Sequence, residues 1–131
     1  MPFLSKWSGE ILSLQRIVAS FMFIQHGTQK LFGFPVEQRM PYELMTLNPG
    51  LAGLLEVILG PLLLVGIFTR QIALVLSGLM AFAYFMVHAP QGFWTLANNG
   101  DSAVLYCFAF LYIAAAGGGK WSIDALRGRS A

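Results

Sequence analysis

Apolar residues run almost unbroken through four stretches of the chain, at about residues 12–32, 51–68, 72–88 and 102–117. Polar residues gather at the ends of these stretches and in the two longer connections, 33–50 and 89–100. A helix that crosses a bilayer takes about 20 apolar residues, with about 17 as the lower limit. The first two stretches meet that length, while the other two, Ile72 to Val87 and Ser102 to Ala116 at their apolar cores, are short unless they borrow flanking residues such as His88 or Gly117. Helices of a soluble bundle keep a polar outer face, yet Leu62–Val65 and Ile72–Leu76 leave almost none. The pattern predicts an all-α fold: an integral membrane four-helix bundle, formed by residues 1–131 as one domain.

Composition agrees, with 56% hydrophobic and 11% charged residues among 131 and a mean hydropathy of +0.66. The eight Lys and Arg are scattered at segment ends, so the basic balance reads as membrane topology and gives no reason to expect a nucleic-acid partner. Lys6, Arg16, Arg70, Lys120, Arg127 and Arg129 fall on the side shared by the two termini and the turn at 69–71. Lys30 and Arg39 fall on the other side, among Glu37, Glu43 and Asp101. Short cytoplasmic loops collect Lys and Arg, so both termini are expected in the cytoplasm and the chain as a multi-pass protein of the plasma (inner) membrane.

Arg16 interrupts the first apolar run, and no small-residue cleavage site follows before His26, so no cleaved signal peptide is expected. Trp and Lys anchor helix ends at the interface. Lys6-Trp7-Ser8 and Lys120-Trp121-Ser122 read as such anchors, as does Arg16, while Phe93 and Trp94 read as loop residues dipping into the interface. Ser122 is placed to cap a short helix running to Leu126. Cys107 is the only cysteine, which excludes an intramolecular disulfide, a CxxC relay and a cysteine-built metal site; no metal site is expected.

With helices alternating in direction, polar residues far apart in sequence reach one depth. His26 and Lys30 end the first helix, Glu56 begins the second, Tyr84 and His88 end the third, and Asp101 opens the fourth beside Asn98 and Asn99. These six, His26, Lys30, Glu56, Tyr84, His88 and Asp101, are the candidates for ligand binding or proton handling. Gly53, Glu56 and Gly60 share one helix face, so the carboxylate is expected where glycines permit close approach. Isolated charge in hydrocarbon is costly, and Lys30 and His26 are its two candidate partners. A purely structural ion pair is the plainer alternative. His26 and His88 as axial haem ligands lack any other haem signature, so haem is not expected.

Five motifs carry a resemblance across nearly the whole chain, in order: HisGlyThrGlnLysLeuPheGly (26–33), AlaGlyLeuLeuGlu (52–56), GlyIlePheThrArg (66–70), AsnAsnGlyAspSerAlaValLeuTyrCys (98–107) and AlaAlaAlaGlyGlyGlyLysTrpSerIleAspAla (114–125). They resemble the DoxX family of small four-helix membrane proteins. The resemblance carries His26, Gly27, Lys30, Gly33, Glu56, Thr69 and Arg70 onto family positions, with Asp101 where the family commonly has Glu. It implies a membrane partner of redox or detoxification enzymes, some members being described as the small subunit of a thiosulfate:quinone oxidoreductase.

Quinone chemistry needs hydrogen-bond partners for two carbonyls, a proton path and an electron donor. His26, Glu56, His88 and Tyr84 suit the first two, but the chain has no GxGxxG and no cysteine set for a cluster. The expected function is therefore a non-catalytic or quinone-contacting membrane subunit of a larger redox-linked complex, and not an enzyme on its own. Quinone is the candidate cofactor, and membrane lipids and other subunits are the expected partners. The alternatives are a small-molecule or proton-coupled carrier, against which the lack of an inverted repeat or broken helix counts, and a purely structural subunit.

Overall fold

The computed structural model describes residues 2–37, 46 and 50–128. Arg39, Glu43 and Arg129, used above to argue topology, lie outside the described residues. Every regular element among those described is helical.

A short α1 (Pro2–Ser5) precedes α2 (Ser8–Phe32), which runs for 25 residues and starts one turn earlier than the apolar stretch. Its end is set by Gly33, whose own N–H still bonds Gln29 O and whose φ of 67° turns the following N–H, that of Phe34, back toward Thr28 O, a left-handed cap that glycine adopts without steric cost. α3 (Ala52–Val65) ends the same way at Gly66. α4 (Thr69–Ala83) continues as a π-helical turn, Tyr84–His88, and a 3-10 turn, Ala89–Gln91. A short α5 (Thr95–Asn98) leads into α6 (Asp101–Ala116), and α7 (Ile123–Leu126) closes the described chain.

α2 packs along α3, α4 packs along α6, and the two pairs join through α3–α4 and over a shorter α2–α6 contact. The α2–α3 seam is tight because it is built on glycine. A Cβ at Gly27 would lie 2.8 Å from Glu56 Cβ, and one at Gly60 would lie 2.6 Å from Ile24 Cγ1. Across α4–α6 the Ser77 hydroxyl donates to Cys107 O at 2.7 Å. The core is Phe23, Leu63, Leu76, Phe110 and Ile113 with their neighbours, and Phe23 meets the Phe110 ring edge-on at 5.1 Å.

The distribution of polarity is inverted relative to a water-soluble fold. Arg16, Ser13, Ser20, Glu56, Thr69, Ser77, Asn98 and Asp124 are buried, while Val18, Phe21, Leu74, Phe82, Phe85, Leu105 and Phe108 face outward. Exposed apolar surface on this scale marks a surface covered by a membrane or by protein. By length and hydropathy together, one continuous helical stretch among the described residues, Thr69–Gln91, is long and apolar enough to cross a membrane. α2 is long enough, but it carries Glu10, Arg16 and Lys30. α3 and α6 are apolar yet have 14 and 16 residues, about 21–24 Å of rise against a hydrocarbon layer of about 30 Å.

Candidate functional site

The Lys30 ammonium lies 2.7 Å from Glu56 Oε1. Of the two partners the sequence left open for Glu56, the structure selects Lys30. The register explains it: Gly27 and Gly53 bring the two helices close where Lys30, one turn beyond Gly27, meets Glu56, one turn beyond Gly53. His26 instead turns toward α6, with its ring edge-on to Tyr106 at 5.9 Å between centroids.

These residues wall a cavity of about 740 Å³ held between α2, α3, α4 with its π-helical turn, and α6. Its apolar wall is Phe23, Leu79, Met80, Phe82, Ala83 and Ala103. Its polar wall is Lys30, Glu56, His26, His88, Ser102 and Tyr106. Clefts of roughly 300–1,000 Å³ with mostly apolar walls and a few convergent polar groups are the usual form of a small-ligand site. His26 and Tyr106 also line a smaller pocket of about 190 Å³ with Gln25 and Gln29, so His26 stands between the two hollows.

His88 reaches the cavity because of the π-helical turn that ends α4, which shifts the register by one residue over its last five. Its Nδ1 lies 3.0 Å from Asn98 O. Asn98 is fully buried and organises the loop: its amide donates to Gly92 O at 2.8 Å and to the Tyr84 hydroxyl at 3.1 Å, and its side-chain oxygen accepts from Gly100 N.

Two candidates fall elsewhere. Tyr84 does not line the cavity; its hydroxyl is engaged by Asn98 behind the wall. Asp101 is exposed in the first turn of α6, where its charge suits the helix N-terminus, and its neighbour Ser102 is the residue that reaches the cavity. Tyr106 and Ser102 were not singled out for the site from the sequence. Tyr106 sits on the α6 face of Ala103 and Phe110, one turn from each, and that spacing was the available signal.

A second polar centre occupies the opposite end of α2. Arg16, expected as an interface anchor, is instead 1% exposed. Its guanidinium donates to Gly118 O, to Trp121 O at 2.8 Å and to Leu64 O at 3.3 Å. These are carbonyls at and beyond the ends of α3 and α6, where helices leave acceptors unsatisfied. The segment after α6 folds back over that end, with Trp121 N donating to the Ser13 hydroxyl at 2.9 Å. The buried carboxylate of Asp124 accepts from Phe68 N at 3.0 Å and Thr69 N at 2.8 Å, capping α4. Ser122 caps α7 as its sequence position suggested, accepting from Ala125 N. These partners of Arg16 and Asp124 belong to the chain's own framework, so this centre clamps the fold. Ten residues, about 15 Å of helix, separate Arg16 from His26.

An apolar exterior around buried charge defines a helical membrane protein. The DoxX family model matches residues 11–89, and the chain belongs to the DoxX family. It is 39% identical over 132 residues to an uncharacterized protein of Haemophilus influenzae, the match covering 92% of this chain and 93% of the relative. A second uncharacterized Haemophilus influenzae protein is 28% identical, covering 91% and 84%. A Mycobacterium tuberculosis relative described as an uncharacterized membrane protein is 26% identical, covering 83% and 76%. No solved structure matches the chain.

Proposed function

We propose that α2, α3, α4 and α6 cross the plasma (inner) membrane as a bundle with both termini cytoplasmic, and that the chain is the quinone-contacting membrane subunit of a larger redox-linked complex. The observation that carries the reading is the cavity of about 740 Å³, whose polar wall of Lys30, Glu56, His26, His88 and Tyr106 faces apolar residues. A quinone has a flat polar head and an apolar tail, and the two walls match that division. Bound there, a quinone would supply two-electron, two-proton redox chemistry. The chain's residues would orient its head group and exclude water. The sequence carries no nucleotide-binding or iron–sulfur motif, which is why the reading assigns the electrons to a second polypeptide. The shortness of α3 and α6 fits a bundle whose ends are closed by folded-back segments such as Gly117–Leu126 and whose helices are buried partly in a neighbour.

Extraction in mild detergent at native expression, followed by mass spectrometry of the intact assembly, tests the subunit assignment. A second polypeptide retained through purification is expected. Recovery of the chain alone in several detergents would sink it and favour a self-standing carrier or structural protein.

A further inference from the structure

The polar wall has a direction, and His88 sets it. A carbonyl oxygen only accepts hydrogen bonds, so the 3.0 Å contact between His88 Nδ1 and Asn98 O requires the proton on Nδ1. In the neutral ring that leaves Nε2 with a lone pair and no proton. Nε2 has no protein partner among the described residues, and His88 lines the cavity. Asn98 is held from three sides, by Gly92, Gly100 and Tyr84, so its carbonyl is a fixed acceptor and not one that swings away. The ring is further confined by Tyr84, 6.2 Å away between centroids. A second group orienting the ring and choosing its tautomer is the arrangement that tunes histidine at binding sites.

We infer that His88 offers Nε2 to the cavity as a hydrogen-bond acceptor, and that the site therefore selects head groups bearing a hydroxyl over the same head groups without one. The inference rests on the cavity reading above and deepens it: the form that His88 favours is the reduced, hydroxyl-bearing hydroquinone head on an apolar tail, since an unprotonated Nε2 has nothing to donate to a quinone carbonyl. Asn98 is a positioning residue that acts through the ring. Rejection follows from chemistry, since a site built to accept a hydroxyl proton leaves a buried acceptor unpaired when the proton is replaced by methyl.

Two measurements on the full chain in detergent test it. Nitrogen-15 NMR of histidine-labelled protein at neutral pH, with His26→Asn to separate the two histidines, is expected to show His88 with a protonated Nδ1 and an unprotonated Nε2. The opposite tautomer overturns the inference whatever binds. The second measurement compares the binding of 2-decylhydroquinone with that of its dimethyl ether. About tenfold weaker binding of the ether is expected, the equivalent of one hydrogen bond at about 1.4 kcal/mol per decade. Glu56 is also an acceptor on the wall, and the ether is bulkier, so the control is His88→Phe, which keeps an aromatic ring and removes Nε2. The preference should collapse in that variant and return in part with His88→Gln. Equal binding of the two probes to the unmodified protein, or an undiminished preference in His88→Phe, overturns the role of His88 while leaving the cavity reading intact. Binding of neither probe removes both.

Discussion

Lys30 and Glu56 meet at 2.7 Å across the α2–α3 seam, but they are unequally hidden: the lysine side chain is 21% exposed and the glutamate 2%. That inequality fixes which partner matters more. Removing the lysine strands a carboxylate between glycine-packed helices, whereas removing the carboxylate leaves an ammonium with access to the cavity. Lys30→Met is expected to lower stability by about 3–5 kcal/mol, the range for breaking a buried pair. Glu56→Gln, which keeps shape and hydrogen bonding, is expected to cost clearly less. Thermal unfolding in one detergent checks the order, and equal losses would contradict it.

The α2–α3 seam gives a second ranking. A Cβ at Gly27 would meet Glu56 Cβ at 2.8 Å and the Val57 backbone N at 3.0 Å, and backbone cannot yield cheaply. At Gly53 the nearest atom is the Leu31 Cδ1 tip, and at Gly78 nothing lies within 4 Å. Gly27→Ala should therefore destabilise by about 1–3 kcal/mol through overpacking. Gly53→Ala should cost less. Gly78→Ala should stabilise by about 0.5–1 kcal/mol through helix propensity alone. Melting curves of the three variants decide, and a stabilised Gly27→Ala would show that the helices are not pressed together there.

Asp124 links the end of the chain to the start of α4 through two backbone N–H groups. Asp124→Ala removes both acceptors and should cost about 1–3 kcal/mol, with Asp124→Asn in between. Hydrogen exchange gives a sharper readout. The amides of Phe68 and Thr69 should lose protection, while those around Glu56, at the other end of the molecule, keep theirs. Loss of protection spread evenly over both ends would mean the clamp is not local.

How far the sequence could be read depended on whether a contact obeys a helical register. Glu56 beside two glycines follows a spacing visible in the sequence, so its burial and its basic partner could be foreseen. The choice of Lys30 over His26 turns on the rotation of α2 against α3, which no single-helix pattern encodes. The burial of Arg16 is hidden from the sequence for a different reason. Its acceptors are carbonyls that become neighbours only when residues 117–126 fold back over the helix ends, and main-chain acceptors leave no trace in side-chain identity. His88 is legible as a candidate from its chemistry, but its route into the cavity follows a π-helical turn that the apolar run conceals. Asp101 carried the right charge at the right helix end, and it faces outward.

Topology is tested by labelling. Single cysteines at Lys6 and Gln91, both exposed, in a Cys107→Ser background should react differently with an impermeant thiol reagent. Gln91 is expected to label in intact cells, and Lys6 only after permeabilisation. The reverse pattern would invert the orientation and with it the side on which the cavity lies.

A cavity of this make-up between α2 and α6 should hold an apolar molecule with a polar head. Quantifying isoprenoid quinone by mass spectrometry, in organic extracts of the purified protein and of Ala83→Phe, tests this most directly. Ala83 lines the apolar wall, so the added ring should fill ligand space without touching Lys30, Glu56 or His88. The unmodified protein is expected to carry quinone in near-stoichiometric amount, and Ala83→Phe, with its melting curve intact, several-fold less. Extracts without quinone, or an equal load in both proteins, would contradict the account.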